Sequence, residues 1–507
     1  MQWIGSALVI GAVVVWGLLD PLGMGSFFEG ALAQLTRKLG WLYLWVVLGL
    51  VLTCLGLAFS RLGRLKLGAE DEEPAFSRPA WFAMLFAAGM GIGLVFWGVA
   101  EPVSHYLRPP PGVAAQTPEA ANVAMRYAIF HWGLHPWAVY SVVGLAIGFF
   151  QFRRGKPALI SSATDTLPWP WMRRVGPLVD GLALVATAFG VAASLGVGAL
   201  QINAGLARVF GLPVGLGPQL AIIAATTSLF LASSVSGVDR GVKWLSSANL
   251  LLAAALALAV FLLGPTVAII DNFSNALGAY LSELLRMSLR MTPFRDSSWV
   301  SDWTVFYWAW WISWSPFVGV FIARVSRGRT IQEFVLGTVL APTLAAALWF
   351  SVFGGTALHL QIFGGQPIAA AVQADIATAL FSVFDALPGG TLMSLAATLL
   401  VAVFFITSGD SATLVLASMS RGGREGDSPA WLKLLWGLMV AAIAASLLGA
   451  GGIKALQTAT VVFALPFTAV LALLALALWR AARDDERALS REERRLRDRL
   501  RHMLPPE

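Results

Sequence analysis

The chain has 507 residues, of which 57% are apolar and only 12% are charged, with a net charge of +7. Soluble domains carry roughly 25% charged residues, so this composition excludes a water-soluble globular protein and a disordered one. The single cysteine, Cys54, excludes an intramolecular disulfide and a metal site built from clustered cysteines.

Twelve apolar segments are long enough to cross a bilayer, since a spanning helix needs about 20 residues. They cover residues 2–19, 39–60, 80–100, 124–150, 178–207, 218–237, 248–270, 303–323, 335–357, 391–420, 430–450 and 454–479. The first lacks a basic leader and a small-residue cleavage site, so we expect a membrane helix rather than a cleaved signal. With the N-terminus inside, most of the 35 Lys and Arg residues fall on inner loops and on the C-terminal tail, which predicts that both termini are cytoplasmic.

The third span is unusually rich in glycine. Gly89, Gly91 and Gly93 alternate within it, although glycine destabilises a helix by about 1 kcal/mol relative to alanine. Two explanations stay open. The glycines allow close packing of a neighbouring helix, or they mark an unwound stretch whose backbone N–H and C=O groups face a substrate or an ion.

The fourth span concentrates aromatic side chains that have polar edges. Trp132, Trp137 and Tyr140 lie on a helix that Pro136 can bend, so that their rings can converge. Converging rings suit a quaternary ammonium group, which has no hydrogen-bond donor and is held by cation–π attraction. An aromatic belt at the membrane interface is the alternative.

Between the seventh and eighth spans, residues 272–291 predict an amphipathic helix along the outer membrane surface. Phe273, Leu277 and Tyr280 share one of its faces, and its charged side chains lie mostly elsewhere. The tail from Arg480 to His502 alternates acids with arginines and predicts a solvated, salt-bridged helix near anionic lipid.

The eighth span has five tryptophans between residues 303 and 314, more than an interface belt needs. Ser313, Ser315 and Pro316 indicate a loosened backbone in the same span. The third and eighth spans each begin a set of five spans. Irregular spans at matching positions of two halves are typical of an inverted-repeat transporter with a site near the membrane midplane.

Two groups of polar side chains in the spans have residue types that can bind an ion. In the tenth span, Thr407 and Ser408 stand near Asp410, and hydroxyls beside an acid suit a hard cation; hydroxyls bonded back to their own helix are the alternative. His131 and His135 have the spacing of metal ligands, but the sequence indicates no third ligand for them.

Four stretches together resemble the betaine/carnitine/choline transporter family. They read AAGMGIGLVFWGVAEP from Ala87, FHWGLHPWAVY from Phe130, FYWAWWISWSPFVGVFIARVSRGRT from Phe306 and FFITSGDS from Phe404. The resemblance implies an all-α integral membrane protein with 12 transmembrane helices in a LeuT-like fold, in which spans 3–7 and 8–12 are two inverted five-helix repeats.

We therefore expect one transmembrane transporter domain over residues 1–507. Its parts are two leading spans and a loop at 1–79, repeat one at 80–270, an extracellular amphipathic helix and loop at 271–302, repeat two at 303–479, and a charged cytoplasmic tail at 480–507.

The resemblance also implies which residues bind substrate and ion. An aromatic box around a trimethylammonium group falls on Trp132, Trp137, Tyr140 and Trp311, and the inward path is lined by Trp310 and Trp314. Sodium, the coupling ion, is bound by carbonyls of Ala87, Met90 and Phe404 and by hydroxyls of Thr407 and Ser408. Backbone N–H groups freed at Gly89, Gly91 and Gly93 would hold a carboxylate.

Two positions depart from the family's patterns. Sodium-driven members can have a second ion site with two threonines four residues apart on the fifth span, and here Thr187 is matched by Val191. Members that carry choline tend to have an acid where this chain has Gly93. The second ion site is therefore in doubt, and choline is disfavoured as the substrate.

We expect a secondary transporter that imports glycine betaine or a related zwitterionic solute by sodium symport, with no cofactor. A choline or carnitine carrier or exchanger of the same family is the nearest alternative. A membrane-embedded enzyme and a channel are remote, because the five histidines form no constellation and packed tryptophans do not line a polar pore. We expect a multi-pass protein of the cytoplasmic membrane that contacts lipid but no nucleic acid, and the resemblance suggests a homotrimer.

Overall fold

The computed structural model describes residues 2–89, 91–236, 239–295, 297–424 and 426–503. The side chains at 2, 86–89, 239–244, 498 and 500–503 lie outside this description. Within the described residues the fold is all-helical, and the bridge between Lys66 and Thr330 is the only β pairing.

The N-terminal half contains twelve α-helices. They are α1 Gln2–Leu19, α2 Pro21–Phe59, α3 Arg78–Gly89, α4 Ile92–Leu107, α5 Pro118–Trp132, α6 Leu134–Gly148, α7 Ser161–Thr164, α8 Trp171–Phe210, α9 Leu216–Ser236, α10 Asp239–Leu263, α11 Thr266–Ser282 and α12 Leu284–Ser288.

Six further α-helices follow. They are α13 Phe306–Val325, α14 Ile331–Ile362, α15 Ile368–Ala374, α16 Ala379–Asp385, α17 Gly390–Ser420 and α18 Ala430–Met503. Short π-helices at Phe149–Arg153 and Ser301–Val305 adjoin α6 and α13, and 3₁₀ turns lie at Arg61–Arg64 and Ile376–Thr378.

Among the described residues, nine helices are long and apolar enough to cross a membrane. They are Pro21–Phe59, Pro118–Arg153, Trp171–Phe210, Leu216–Ser236, Leu245–Leu263, Ser301–Val325, Ile331–Ile362, Gly390–Ser420 and Ala430–Arg497. The last is long enough for two spans, and its backbone is non-helical at Gly451 and Gly452. Gly452 has φ +59, which side-chain-bearing residues rarely adopt.

The second apolar segment is part of a longer helix than the sequence indicated. We expected residues 39–60, whereas α2 begins at Pro21. Asp20 caps its first turn by accepting the N–H of Gly23 at 2.9 Å. The first half of α2 carries Glu29 and other charged side chains, so apolar content alone did not reveal it.

Two predicted spans are interrupted by glycine. The third is divided into α3 and α4, and Gly91, which precedes α4, is extended with φ −135 and ψ −172. The fourth is divided into α5 and α6 at Gly133, with φ −94 and ψ −128. The bend expected from Pro136 is therefore wrong in position. Pro136 lies in the first turn of α6, where proline is tolerated because that turn's N–H groups have no partner within the helix.

The amphipathic helix predicted at residues 272–291 corresponds to α11, which we call the peripheral helix. It starts at Thr266 instead of residue 272, and the preceding span ends at Leu263 because Gly264 and Pro265 interrupt it. Tyr280 is fully buried against the helical core, while Leu281 is exposed. The helix therefore has one packed face and one free face, as its amphipathic pattern indicated.

The interrupted helices lie at the centre of the bundle. Helix α13 packs on α6 and α8, while α4 packs on α5 and α14. Helix α18 covers α8, α2 and α13, and α17 packs on α8 and α9. The backbone breaks of α3–α4 and α5–α6 are thus enclosed by long helices.

The charged tail continues α18 and lies against the segments that follow α2 and α6. Arg153 and Arg154 each place a guanidinium nitrogen 2.7 Å from Asp485, and Arg64 lies 3.3 Å from Glu486. These contacts join the tail to residues before α3 and after α6. Arg64 is the most exposed of these cations, and an exposed pair stabilises by about 0–1 kcal/mol.

Candidate functional site

Aromatic rings from α5, α6 and α13 converge at the centre of the bundle. Trp132 meets Trp311 edge to face, with 4.7 Å between ring centroids and an interplanar angle of 73°. Tyr140 meets the same indole at 6.2 Å and 80°, and Trp137 meets Tyr140 at 5.6 Å and 85°. All four rings are at most 6% exposed. The structure therefore brings together the four residues of the predicted box.

The break at Gly133 sets the positions of these rings. It separates Trp132, the last residue of α5, from Trp137 in the first turns of α6. The free N–H of Leu134 is bonded by the hydroxyl of Tyr280 on α11 at 3.1 Å. The peripheral helix thus supplies the partner that the interrupted helix lacks.

Trp311 is fixed from two sides. It stacks on Trp310, with centroids 5.0 Å apart and an interplanar angle of 11°. Its indole N–H donates to the carbonyl of His131 at 2.9 Å. The ring cannot rotate without losing both contacts, so its orientation is set before any ligand binds.

Trp310 and Trp314 contact α8. The N–H of Trp310 donates to Ser194 at 3.1 Å, and that of Trp314 donates to the carbonyl of Gly190 at 2.8 Å. Trp314 is only partly buried, unlike Trp310 and Trp311. Trp310 adjoins the box, since its ring lies 6.1 Å from that of Trp132, whereas Trp314 meets Phe317 at 5.4 Å.

Gly93 lies directly beneath the aromatic rings. A Cβ there would come within 2.7 Å of Trp310 and 2.9 Å of Trp132. Close packing of the rings therefore requires glycine at this position. Gly91 has open space around its Cα, Gly89 ends α3, and Met90 lies outside the described residues.

Three of the five predicted sodium ligands lie on one helix. Phe404, Thr407 and Ser408 are on α17. The Thr407 hydroxyl donates to the carbonyl of Val403 at 3.0 Å, which leaves its lone pairs free to bind a cation. Ala87, whose carbonyl is a predicted ligand, lies on α3, and Met90 lies outside the described residues.

The fifth span, α8, bears the position that departs from the family's second ion site. Thr187 and Val191 are both buried there. The Thr187 hydroxyl has no hydrogen-bond partner among the described residues. Val191 offers no oxygen one helical turn away, so the pair provides a single side-chain ligand.

Sequence reasoning missed Glu101, although an acid within an apolar span was a visible signal. It is fully buried on α4, and its Oε1 lies 2.6 Å from Nδ1 of His131 and 3.2 Å from Nε2 of His105. Ligand atoms of these three side chains all lie within 4.8 Å of one another. The sequence indicated no third ligand for His131 and His135, and the structure places Glu101 and His105 beside His131.

His135 does not join this cluster. Its Nε2 lies 2.8 Å from the hydroxyl of Ser288, and its ring stacks on Trp308 at 5.0 Å and 15°. The spacing of His131 and His135 is therefore not that of two ligands to one ion. Each histidine has a hydrogen-bonding role within the helix packing instead.

A cavity of about 190 Å³ lies beside the Gly451–Gly452 break of α18. Its lining residues include Trp97, Trp303, Arg108, Asp302 and Lys454. Trp97 connects this cavity with the aromatic rings of α13, since its ring lies 6.0 Å from that of Tyr307.

Comparison with known proteins gives a consistent result. Residues 3–487 match the profile described as "BCCT, betaine/carnitine/choline family transporter". The glycine betaine transporter OpuD of Bacillus subtilis is 45% identical over 495 residues, covering 97% of this chain and 96% of that protein.

Two further relatives carry different names. The ectoine/hydroxyectoine transporter of Virgibacillus pantothenticus is 45% identical over 470 residues, which are 92% of this chain and 93% of that protein. Glycine betaine transporter 1 of Vibrio parahaemolyticus is 42% identical over 473 residues, which are 91% and 89% of the two chains.

Proposed function

We propose that this chain, which belongs to the betaine/carnitine/choline family of transporters, imports glycine betaine or a related zwitterionic solute together with sodium. It is a multi-pass membrane transporter rather than an enzyme. The observation that carries the proposal is the convergence of Trp132, Tyr140 and Trp311, with Trp137 behind them.

These rings suit a quaternary ammonium group. A trimethylammonium cation has no N–H to donate, so hydrogen-bond acceptors cannot recognise it, whereas ring faces attract its charge. The box rings are at most 6% exposed, and cation–π attraction is strongest when water is excluded. The box therefore favours a methylated cation over an ordinary amine.

The carboxylate of a zwitterion needs hydrogen-bond donors. The backbone leaves helical geometry at Gly91, between α3 and α4, which frees N–H groups beside the rings. Neutral donors avoid the desolvation of a second full charge. We propose that the backbone N–H groups of Gly91 and Gly93, before and in the first turn of α4, bind this carboxylate. Gly89 ends α3, where a helix leaves C=O groups rather than N–H groups without a partner.

Sodium would bind between α3 and α17. The proposed ligands are carbonyls of Ala87, Met90 and Phe404 and hydroxyls of Thr407 and Ser408. Oxygen ligands of this type suit a hard cation. Binding there would join the two proposed repeats and favour one conformation, which is what coupling requires. Because Val191 removes an oxygen from the second ion position, we expect a Hill coefficient for sodium nearer one than two.

Alternating access would use a LeuT-like arrangement of twelve spans with both termini cytoplasmic. The helix breaks at Gly91 and Gly133, and the further one at Gly451–Gly452, support this arrangement. The repeats are proposed at 80–270 and 303–479. We also propose a homotrimer that uses the free face of the peripheral helix.

A choline or carnitine carrier is the nearest alternative. Family members that carry choline tend to have an acid at the position of Gly93. An acidic side chain does not fit between this position and the rings without moving them, so Gly93 favours a zwitterion over choline. An exchanger would place a fixed cation where sodium binds, and residues 80–100, 178–207 and 391–420 contain no Lys or Arg. The ectoine transporter among the relatives keeps ectoine as a candidate substrate.

The test is uptake of labelled glycine betaine into proteoliposomes that contain the purified full-length protein. Unlabelled glycine betaine, ectoine, carnitine and choline compete in parallel, in sodium and in potassium buffer. We expect sodium-dependent uptake that glycine betaine or ectoine inhibits more strongly than choline does. Strongest inhibition by choline would refute the zwitterion proposal.

A further inference from the structure

The carboxylate of Glu101 holds two rings of the site through one oxygen. Its Oε2 accepts the indole N–H of Trp132 at 2.8 Å and the phenol O–H of Tyr307 at 2.5 Å. Trp132 is a box residue on α5, and Tyr307 stacks on Trp311 at 5.8 Å and 22°. One atom on α4 therefore connects α5 with α13.

We infer that Glu101 is a positioning residue of the ammonium site, which acts by accepting the hydrogen bonds of Trp132 and Tyr307. The inference rests on the proposed function, because it assigns a role within the proposed box. Trp132 has a single donor and no acceptor. Its ring orientation relative to Trp311 therefore depends on where that one acceptor lies.

The loss of this acceptor would be costly. The indole N–H of Trp132 is buried, and a buried donor without a partner costs more than an average hydrogen bond contributes. The ring would rotate towards another acceptor, and its edge-to-face contact with Trp311 would change. A cation between the rings is attracted to the ring faces, so this rotation lowers affinity.

Glutamine at this position can preserve the arrangement. Its amide oxygen can accept from Trp132 and Tyr307, while its NH₂ group faces the two histidines. A histidine ring nitrogen can accept a hydrogen bond from this NH₂ group after a change of tautomer. The indole of Trp132 can only donate, so it needs the amide oxygen. The change is feasible because Nδ1 of His105 has no partner among the described residues and can take the proton. The Nε2 of His131 already lies 3.0 Å from a hydroxyl, that of Thr304.

Methionine at this position cannot preserve it. Glu101→Met keeps approximate volume and offers no comparable acceptor. We expect Glu101→Met to raise KM for glycine betaine at least about tenfold, with a smaller change in kcat, because a hydrogen bond to a charged group is among the stronger kinds. We expect Glu101→Gln to stay within about threefold of the wild-type KM. Glu29→Met, at an exposed position of α2, is the matched control.

A double-mutant cycle tests whether Glu101 acts on the site through its hydrogen bond with Trp132. Trp132→Phe removes the N–H donor and keeps an aromatic face, so adding Glu101→Met to it should raise KM much less than Glu101→Met does alone. All variants are compared by size-exclusion chromatography in detergent. Additive effects in the cycle, or a Glu101→Gln variant as impaired as Glu101→Met, would overturn the positioning role.

A second readout needs no substrate. The UV resonance Raman difference between the wild type and Trp132→Phe isolates the indole N–H band of Trp132. We expect this band to shift in Glu101→Met and to stay in place in Glu101→Gln, and a band that stays in place in both would overturn the inference. A wild type without glycine betaine uptake would refute the proposed function, while the Raman comparison would still decide whether Glu101 holds Trp132.

Discussion

Replacement of Trp311 by leucine is the sharpest perturbation of the proposed box. Leu keeps part of the bulk and removes the π face. Trp311 contacts Trp132, Tyr140 and Trp310 through its ring, so it is the member that joins the others. We expect Trp311→Leu to weaken binding of glycine betaine more than any other single ring replacement.

The magnitude follows from the burial of the site. Trp311 is 6% exposed, and a desolvated cation–π contact contributes about 2 kcal/mol. That free energy corresponds to an increase in Kd of roughly thirtyfold. Trp311→Leu also loses the hydrogen bond to the carbonyl of His131, which contributes about 1 kcal/mol to stability.

Trp311→Phe separates these two effects. Phenylalanine loses the same indole N–H but retains a π face, so the difference between the Leu and Phe variants isolates the ring. Trp431→Leu serves as the matched control, because Trp431 is 55% exposed at the start of α18. Kd is measured by equilibrium binding of labelled glycine betaine to each purified variant.

The expected order of affinity is wild type, then Trp311→Phe, then Trp311→Leu, with Trp431→Leu equal to the wild type. A folded Trp311→Leu protein with unchanged Kd would refute the box. Equal losses in the Phe and Leu variants would show that the hydrogen bond, and not the π face, accounts for the effect.

Three other substitutions have defined outcomes. Gly93→Ala should lower glycine betaine affinity, because its Cβ forces two indole rings apart at a cost of about 1–3 kcal/mol; an unchanged Kd would show that the rings adjust freely. Tyr280→Phe leaves the N–H of Leu134 unpaired and should lower the free energy of unfolding by about 1–2 kcal/mol, which thermal unfolding in detergent measures against Tyr106→Phe. Thr407→Ala combined with Ser408→Ala should abolish sodium-dependent uptake or make uptake insensitive to sodium, and a double variant with wild-type sodium activation would remove both residues from the ion site.

The convergence of Trp132, Trp137 and Tyr140 could be predicted because they are close in sequence, whereas Trp311 was predicted from the resemblance to the family. Trp132, Trp137 and Tyr140 lie within nine positions, and the break between α5 and α6 needs only one glycine. The location of that break could not be predicted. It depends on a hydrogen bond from Leu134 to Tyr280, 146 residues away, which no local pattern reveals.

The role of Glu101 was not predictable for a related reason. In the sequence, Glu101 and Pro102 lie within an apolar span. An acid in this position is equally compatible with a salt bridge between Glu101 and a cation in a loop. Its hydrogen-bond donors Trp132 and Tyr307 come from α5 and α13. Only the packing of three helices shows that the acid is buried among ring donors.

The extent of α2 was missed for a different physical reason. A search for continuous apolar residues finds helices that are surrounded by lipid or protein. The first half of α2 is mixed, with Phe28 buried and Phe27 exposed. Such a segment is stabilised by packing along one face and by its cap at Asp20 rather than by overall hydropathy.

Accumulation of glycine betaine against its concentration gradient tests the central claim most directly. Proteoliposomes are loaded with glycine betaine at the external concentration, and an inward sodium gradient of about tenfold, worth about 1.4 kcal/mol, is then imposed at zero membrane potential. Sodium symport predicts net accumulation that a sodium ionophore collapses. Uptake that only equilibrates, that proceeds equally in a potassium gradient, or that requires an exchanged internal substrate would contradict it.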